Sequence, residues 1–245
     1  TDRRVLILVP FYLYIGLFFS FWISIIPTTL QFTKALAHHI FLPAYFGMTF
    51  SVGSVIMSVL TMLLSKRIND FSFRPLMVIN ATIHVLIYAL TLALIPQWST
   101  VRPNDEPSLL IQPSIVPILI LAFLFGLADA ANNTNRTVIS SLLIPSRRQQ
   151  VFGASRFYHA LAAAILFFAS PSMSVYTYVA ILTVVLILST VSFLYTCGHI
   201  QREERKISSM PTSFIVPSYQ LGDDNKRGID SFSNGIQDTP KKQFY

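Results

Sequence analysis

The chain has 245 residues, 53% of them hydrophobic and only 12% charged, with a mean hydropathy of +0.57 and a formal net charge of +7. Soluble domains carry about 25% charged residues, so a soluble globular domain is excluded and a polytopic membrane protein is expected. The basic excess lies in short connections and in the C-terminal tail, which points to a lipid bilayer as partner and away from nucleic acid.

The chain opens Thr1-Asp2-Arg3-Arg4, without methionine. No small-residue cleavage site follows its first apolar stretch, so no signal peptide is expected. The natural chain is expected to begin earlier. Charges are absent from Val5 to Thr33, Ala35 to Ser65, Pro75 to Val101, Pro107 to Ala128 and Phe157 to Gln201. A span needs about 20 apolar residues. The first span is placed at Val5–Pro27, the second at Phe41–Ser65 and the third at Pro75–Gln97. The fourth, Ser114–Leu143, is long, and the fifth follows at Gln150–Ala169. Ser170-Pro171-Ser172 separates it from the sixth, Val175–His199. Prolines 75, 113, 145 and 171 punctuate these boundaries. The expected fold is all-α, with six transmembrane helices over residues 1–200.

Lysine and arginine alternate by side. Arg3, Arg4, Lys66, Arg67, Arg74, Arg147, Arg148, Arg202, Arg205 and Lys206 fall on one side, and Lys34 and Arg102 on the other. Ten against two places both termini in the cytoplasm and the Trp98–Gln112 loop outside. Which membrane holds the protein, plasma membrane or endomembrane, stays open. Residues 201–245 turn polar and read as a disordered cytoplasmic tail. Cys197 is the sole cysteine, so no intramolecular disulfide can form. Acylation there and ordinary packing both remain open.

The fourth span carries Asp129, Asn132, Asn133, Asn135 and Arg136. Offsets of three, four and seven from Asp129 suggest one polar helix face. A charge at bilayer depth costs at least ~2.5–3.5 kcal/mol, so that face is expected to meet protein or a wet cavity. Asp129 is read as functional. The asparagines fit a site or helix–helix hydrogen bonding equally. A rise of ~1.5 Å per residue separates Asp129 and Arg136 by roughly 10 Å, too far to pair directly. Arg156 and His159 lie one turn apart on the fifth span, with Arg156 near the depth of Arg136. The two arginines either snorkel or line a wet cavity that can hold an anion. His84 reads as a proton carrier or, more readily, as a hydrogen-bonded packing residue. Ala122, Gly126 and Ala130, and Ala160, Ala163 and Ala164, read as close-contact ridges. No CxxC pair, His/Cys cluster or P-loop occurs, so neither an enzyme nor a cofactor is expected.

Six helices with a basic connection between the second and third resemble one half of a major-facilitator-type fold. Lys66-Arg67-Ile68-Asn69-Asp70-Phe71-Ser72-Phe73-Arg74 resembles the basic signature of that superfamily, without its usual glycine. Three more stretches are Phe11 to Leu17, Phe125 to Asn135 and Phe152 to Tyr158. In order and spacing they resemble the C-terminal half of the unc-ninety-three family. That family's fourth-helix pattern reads roughly Gly-Leu-Gly-Asp, two variable residues, Asn-Thr-Gln. Gly126, Leu127, Asp129, Asn133 and Thr134 match it, as does the basic Arg156 in the fifth helix. Ala128, Asn135 and Arg136 depart from it.

The resemblance implies a twelve-helix protein whose N-terminal six helices lie outside this chain, with the fourth span lining a central cavity. Members include transporters, a regulatory subunit of potassium channels and a chaperone of nucleic-acid-sensing receptors. The resulting expectation is a small-solute transporter working by alternating access. Asp129 is its coupling acid, Asn132 and Asn133 are polar contacts, and Arg136 with Arg156 forms an anion contact or gate. The alternative is a non-transporting accessory protein of a channel or receptor.

Overall fold

The computed structural model describes residues 3–33, 39–67, 74–100, 110 and 114–208. Their regular structure is helical: α1 Arg3–Ile7, α2 Val9–Ser20, α3 Ile26–Phe32, α4 Leu42–Arg67, α5 Arg74–Leu94, α6 Ile115–Leu143, α7 Arg148–Ala169 and α8 Val175–Ser208. Among the described residues six stretches are long and apolar enough to cross a membrane. They are Val9–Phe32, Leu42–Arg67, Arg74–Leu94, Ile115–Leu143, Arg148–Ser172 and Val175–Arg202. The all-α, six-span reading is therefore the observed fold.

Two boundaries differ from the expected ones by five residues or more. The first span runs through Pro27 to Phe32 rather than stopping there. One wide π turn, Phe21–Ile25, precedes α3, with the Ile26 N–H bonded to the Phe21 carbonyl. Pro27 then falls in the first turn of α3, where a missing N–H costs nothing. The sixth helix continues to Ser208, beyond the expected start of the tail. Gln201 to Lys206 is rich in Gln, Glu, Arg and Lys, all good helix formers. The rest of the expected tail, 209–245, lies outside the described residues, as does most of the Trp98–Gln112 loop.

Thr1–Arg202 is one compact unit. Within a bilayer, packing and hydrogen bonds rather than water exclusion hold helices together, and the contacts follow that logic. The second and fourth spans cross backbone to backbone: a side chain at Gly53 would strike the Phe123 carbonyl, and one at Gly126 the Phe50 carbonyl. Ser54 Oγ donates to the Gly126 carbonyl at 3.1 Å across this crossing. Gly16 on α2 lies in the same way against the His159 carbonyl and the Ala162 Cβ on α7. On α7 the small residue in contact is therefore Ala162. Ala160 and Ala164 are exposed and Ala163 is half-buried, because each step along a helix turns the side chain by about 100°.

The sixth span joins the first through Phe11 against Phe193, 4.9 Å between centroids, and Phe21 against Tyr178, 5.9 Å. Phe18, Phe21, Leu121, Ala122, Phe125 and Leu182 belong to the main core. A second core at the basic end includes Val5, Leu8, Phe11, Met77, Phe193 and Cys197. Cys197 is buried there, which favours the packing reading. At the opposite end Thr100 Oγ1 donates to the Met173 carbonyl at 2.7 Å, and the Val175 N–H to the Gln97 carbonyl at 3.1 Å. The second and fifth spans are the least enclosed, with 17% and 22% of their central windows buried.

Candidate functional site

The polar stripe of α6 divides in two. Asn132 and Asn135 are buried and turn toward α5. Asp129 and Asn133 are half-buried and line a different side of the helix. Neighbouring positions on a helix point about 100° apart, so residues 132 and 133 cannot share one narrow face.

On the α5 side, Asn80 Nδ2 donates to Asn132 Oδ1 at 2.7 Å, and Asn132 Nδ2 meets His84 Nε2 at 3.3 Å. His84 Nδ1 meets the Asn80 carbonyl at 2.7 Å. A carbonyl can only accept, so Nδ1 carries the proton and Nε2 accepts from Asn132. Both ring nitrogens of His84 are then engaged within the bundle. Phe18 and Tyr14 pack edge-on against the ring, 4.4 and 5.3 Å between centroids. Asn135 contributes less: its Nδ2 lies 3.6 Å from Met77 Sδ, and its buried Oδ1 has no partner.

On the other side, Asn133 couples the two charges of the helix. Its Nδ2 donates to Asp129 Oδ2 at 2.9 Å and to the Asp129 carbonyl at 3.0 Å. Its Oδ1 accepts from Arg136 Nη2 at 2.8 Å. The amide thus bridges an acid and a base that cannot meet directly. Asp129 and Asn133 open onto a groove of about 480 Å³ between α4 and α6, together with Ser54, Ser58, Thr134 and Thr137. Trp22, on the π turn, stacks on Phe50 with 3.9 Å between centroids. Its buried indole N–H approaches Asp129 as a donor without reaching full hydrogen-bond geometry.

Arg136 is only 6% exposed, and its buried Nη1 has no partner. Its charge is felt by Asp129, by Arg156 and by Tyr12, whose hydroxyl meets Ser140 Oγ at 3.0 Å. On α7, Arg156 is exposed, whereas His159 is half-buried with Nδ1 unpartnered and its ring 5.2 Å from that of Phe19. His159 lies within the fields of both arginines. Ser155, one residue before Arg156, is buried with an unpartnered hydroxyl. The structure therefore brings Asp129, Asn133, Arg136, Arg156 and His159 into one electrostatic neighbourhood and leaves Asn132 and Asn135 outside it. Two guanidinium groups against one carboxylate leave a local excess of positive charge, suited to an anion. Among the described residues no group of three His, Cys, Asp or Glu side chains is placed to hold a metal.

Sequence reasoning missed Asn80, Trp22, Ser140 and Ser155. The spacing of four between Asn80 and His84 was a usable signal, since it puts both on one helix face. Trp22 offered none, because its position depends on the π turn.

The sequence model of a protein family described as "Ion channel regulatory protein UNC-93" matches residues 1–194. No solved structure matches the chain.

Proposed function

The chain belongs to the UNC-93 family of ion channel regulatory proteins, and from that premise we propose that it carries a small anionic solute across the bilayer by alternating access. The observation behind this reading is the Asp129–Asn133–Arg136 relay beside an open groove. Charges at membrane depth are costly and mark solute or proton paths. A carboxylate- or phosphate-bearing solute would supply the partner that Arg136 Nη1 lacks. Arg156 and His159 would meet the same solute from the fifth span. Asp129 would change its protonation as the site changes access, and Asn133 would transmit that change to Arg136. The role involves binding and movement with no bond-making step, so it is not enzymatic.

The proposed topology has both termini in the cytoplasm. The second and fifth spans, least enclosed in this bundle, would face another six-helix half in a major-facilitator-type arrangement.

The test is uptake of labelled succinate, lactate and inorganic phosphate into vesicles holding the full-length protein under an imposed pH gradient. Asp129→Asn should reduce pH-driven uptake to that of protein-free vesicles. Uptake unchanged in this variant would remove Asp129 from the mechanism, and no uptake of any probe by the native protein would sink the transport reading.

The family description itself favours a second reading, a non-transporting regulator of an ion channel. Exposed Val52, Val55 and Val59 on the second span and Phe168 on the fifth would then dock the channel's helices. Co-expression with a potassium channel should alter its current, and deletion of residues 201–245 or Phe168→Ala should lessen the effect. An unaltered current would count against it.

A further inference from the structure

The last turns of the sixth span are ordered along the helix in the sequence of parts found in a phospholipid. Ile187, Leu188 and Val191 are exposed and apolar, at 59%, 56% and 63%. Tyr195 follows four residues after Val191, and His199 and Arg202 lie four and seven residues beyond Tyr195. This spacing keeps them on one helix face. Along that face chain-like surface gives way to an interfacial aromatic, then to an imidazole and the guanidinium of Arg202, the order in which a bilayer leaflet presents acyl, glycerol and phosphate layers. From Tyr195 to Arg202 the helix rises roughly 10 Å, enough to span that transition.

Two adjoining hollows flank this face and share Tyr195 and His199. One, about 250 Å³, is bounded by Arg74 of the third span and by Gly198, His199 and Arg202 of the sixth. The other, about 190 Å³, is mainly apolar, with Ile7, Leu143 and Ile200 in its wall and Arg4 at its rim. Gly198 makes the first possible. A Cβ there would stand 3.0 Å from Arg74 Nη2, so the missing side chain lets the guanidinium lie against the sixth span. No Asp or Glu is among the described residues lining either hollow.

We propose that these hollows hold one anionic phospholipid of the leaflet at the basic end of the bundle. Its phosphate lies between Arg74 and Arg202, its glycerol lies over Tyr195 and the adjoining hollow, and its acyl chains run along the exposed Ile187, Leu188 and Val191. The commitment to a lipid rather than a free anion rests on this apolar strip leading away from the cations, which a hydrated phosphate could not use. The bound lipid would join the third and sixth spans. This site is separate from the Asp129 groove and stands or falls independently of the transport reading.

The test is native mass spectrometry of the delipidated full-length protein with defined amounts of phosphatidylglycerol or phosphatidylcholine. Arg74→Gln with Arg202→Gln removes two charge-assisted contacts to the phosphate, each contributing about tenfold or more, and should weaken phosphatidylglycerol retention by at least about 25-fold. The control pair Arg147→Gln with Arg148→Gln removes the same charge at the same end and should change it by less than about twofold. Gly198→Leu keeps every charge but fills the polar hollow, and should also weaken retention, with thermal unfolding in the absence of added lipid unchanged. Equal losses from both arginine pairs would reduce the site to diffuse surface charge and overturn the proposal. Equal retention of phosphatidylcholine, or displacement of phosphatidylglycerol by inorganic phosphate at matched concentration, would overturn it as well.

Discussion

The three asparagines of the fourth span share a composition signal but differ in what they do. Asn132 is held by Asn80 and His84, Asn133 joins Asp129 to Arg136, and Asn135 touches only a thioether. Removing a buried partner strands the groups it satisfied, at about 1–3 kcal/mol, although hydrogen bonds between membrane helices average only about 0.6 kcal/mol. Asn132→Leu should therefore destabilise the bundle by about 1–2 kcal/mol. Asn135→Leu should be neutral or stabilising, since it removes a buried oxygen that has no partner. Thermal unfolding of the two variants in detergent checks this, and equal losses would refute the division of the stripe. Residue types flagged the stripe in the sequence. Its division was hidden because partners on α5 and the groove against α4 choose among side chains only about 100° apart.

At the scale of elements, the crossing of the second and fourth spans depends on Gly53 and Gly126. Each lies where any side chain would meet backbone atoms of the other helix. Backbone cannot give way as a flexible side chain can, so overpacking there costs about 1–3 kcal/mol or more. Gly53→Ala and Gly126→Ala should each lower the melting temperature clearly. Gly47→Ala and Gly153→Ala, where a Cβ meets nothing within 4 Å, should leave it unchanged or raise stability by about 0.5–1 kcal/mol through helix propensity. Four melting curves decide the matter, and a uniform response would refute the crossing. The Gly126 part of this contact was legible from its spacing with Ala122 and Ala130 on one helix. The contact at Gly16 was not, because it needs a second helix, α7, to be placed against it. The π turn at Phe21–Ile25 was equally hidden, since Pro27 reads as a terminus until the preceding turn is seen to widen.

At the scale of the whole molecule, the proposed topology puts the two ends of the bundle on the same side, with the basic residues setting which side that is. A glycosylation acceptor inserted between Trp98 and Gln112 should be modified, and one inserted between Arg67 and Arg74 should not. Modification of the second would invert the proposed topology. The sequence by itself determined that this chain holds six long apolar helices, and it showed where polar groups interrupt the fourth span. Both follow from one-dimensional quantities: the length of uncharged runs against bilayer thickness, and the cost of charge inside it. Family membership was also legible, because it rests on residues at fixed intervals along the chain. Only the tertiary structure decided which polar groups serve packing and which face an open groove. It bound Asn132 to the third span and used Asn133 to link Asp129 with Arg136. It also set Arg74 over the bare backbone of Gly198. These choices depend on which helices touch and at what rotation, and a hydrogen bond of about 3 Å distinguishes neighbouring side chains of one residue type that point about 100° apart.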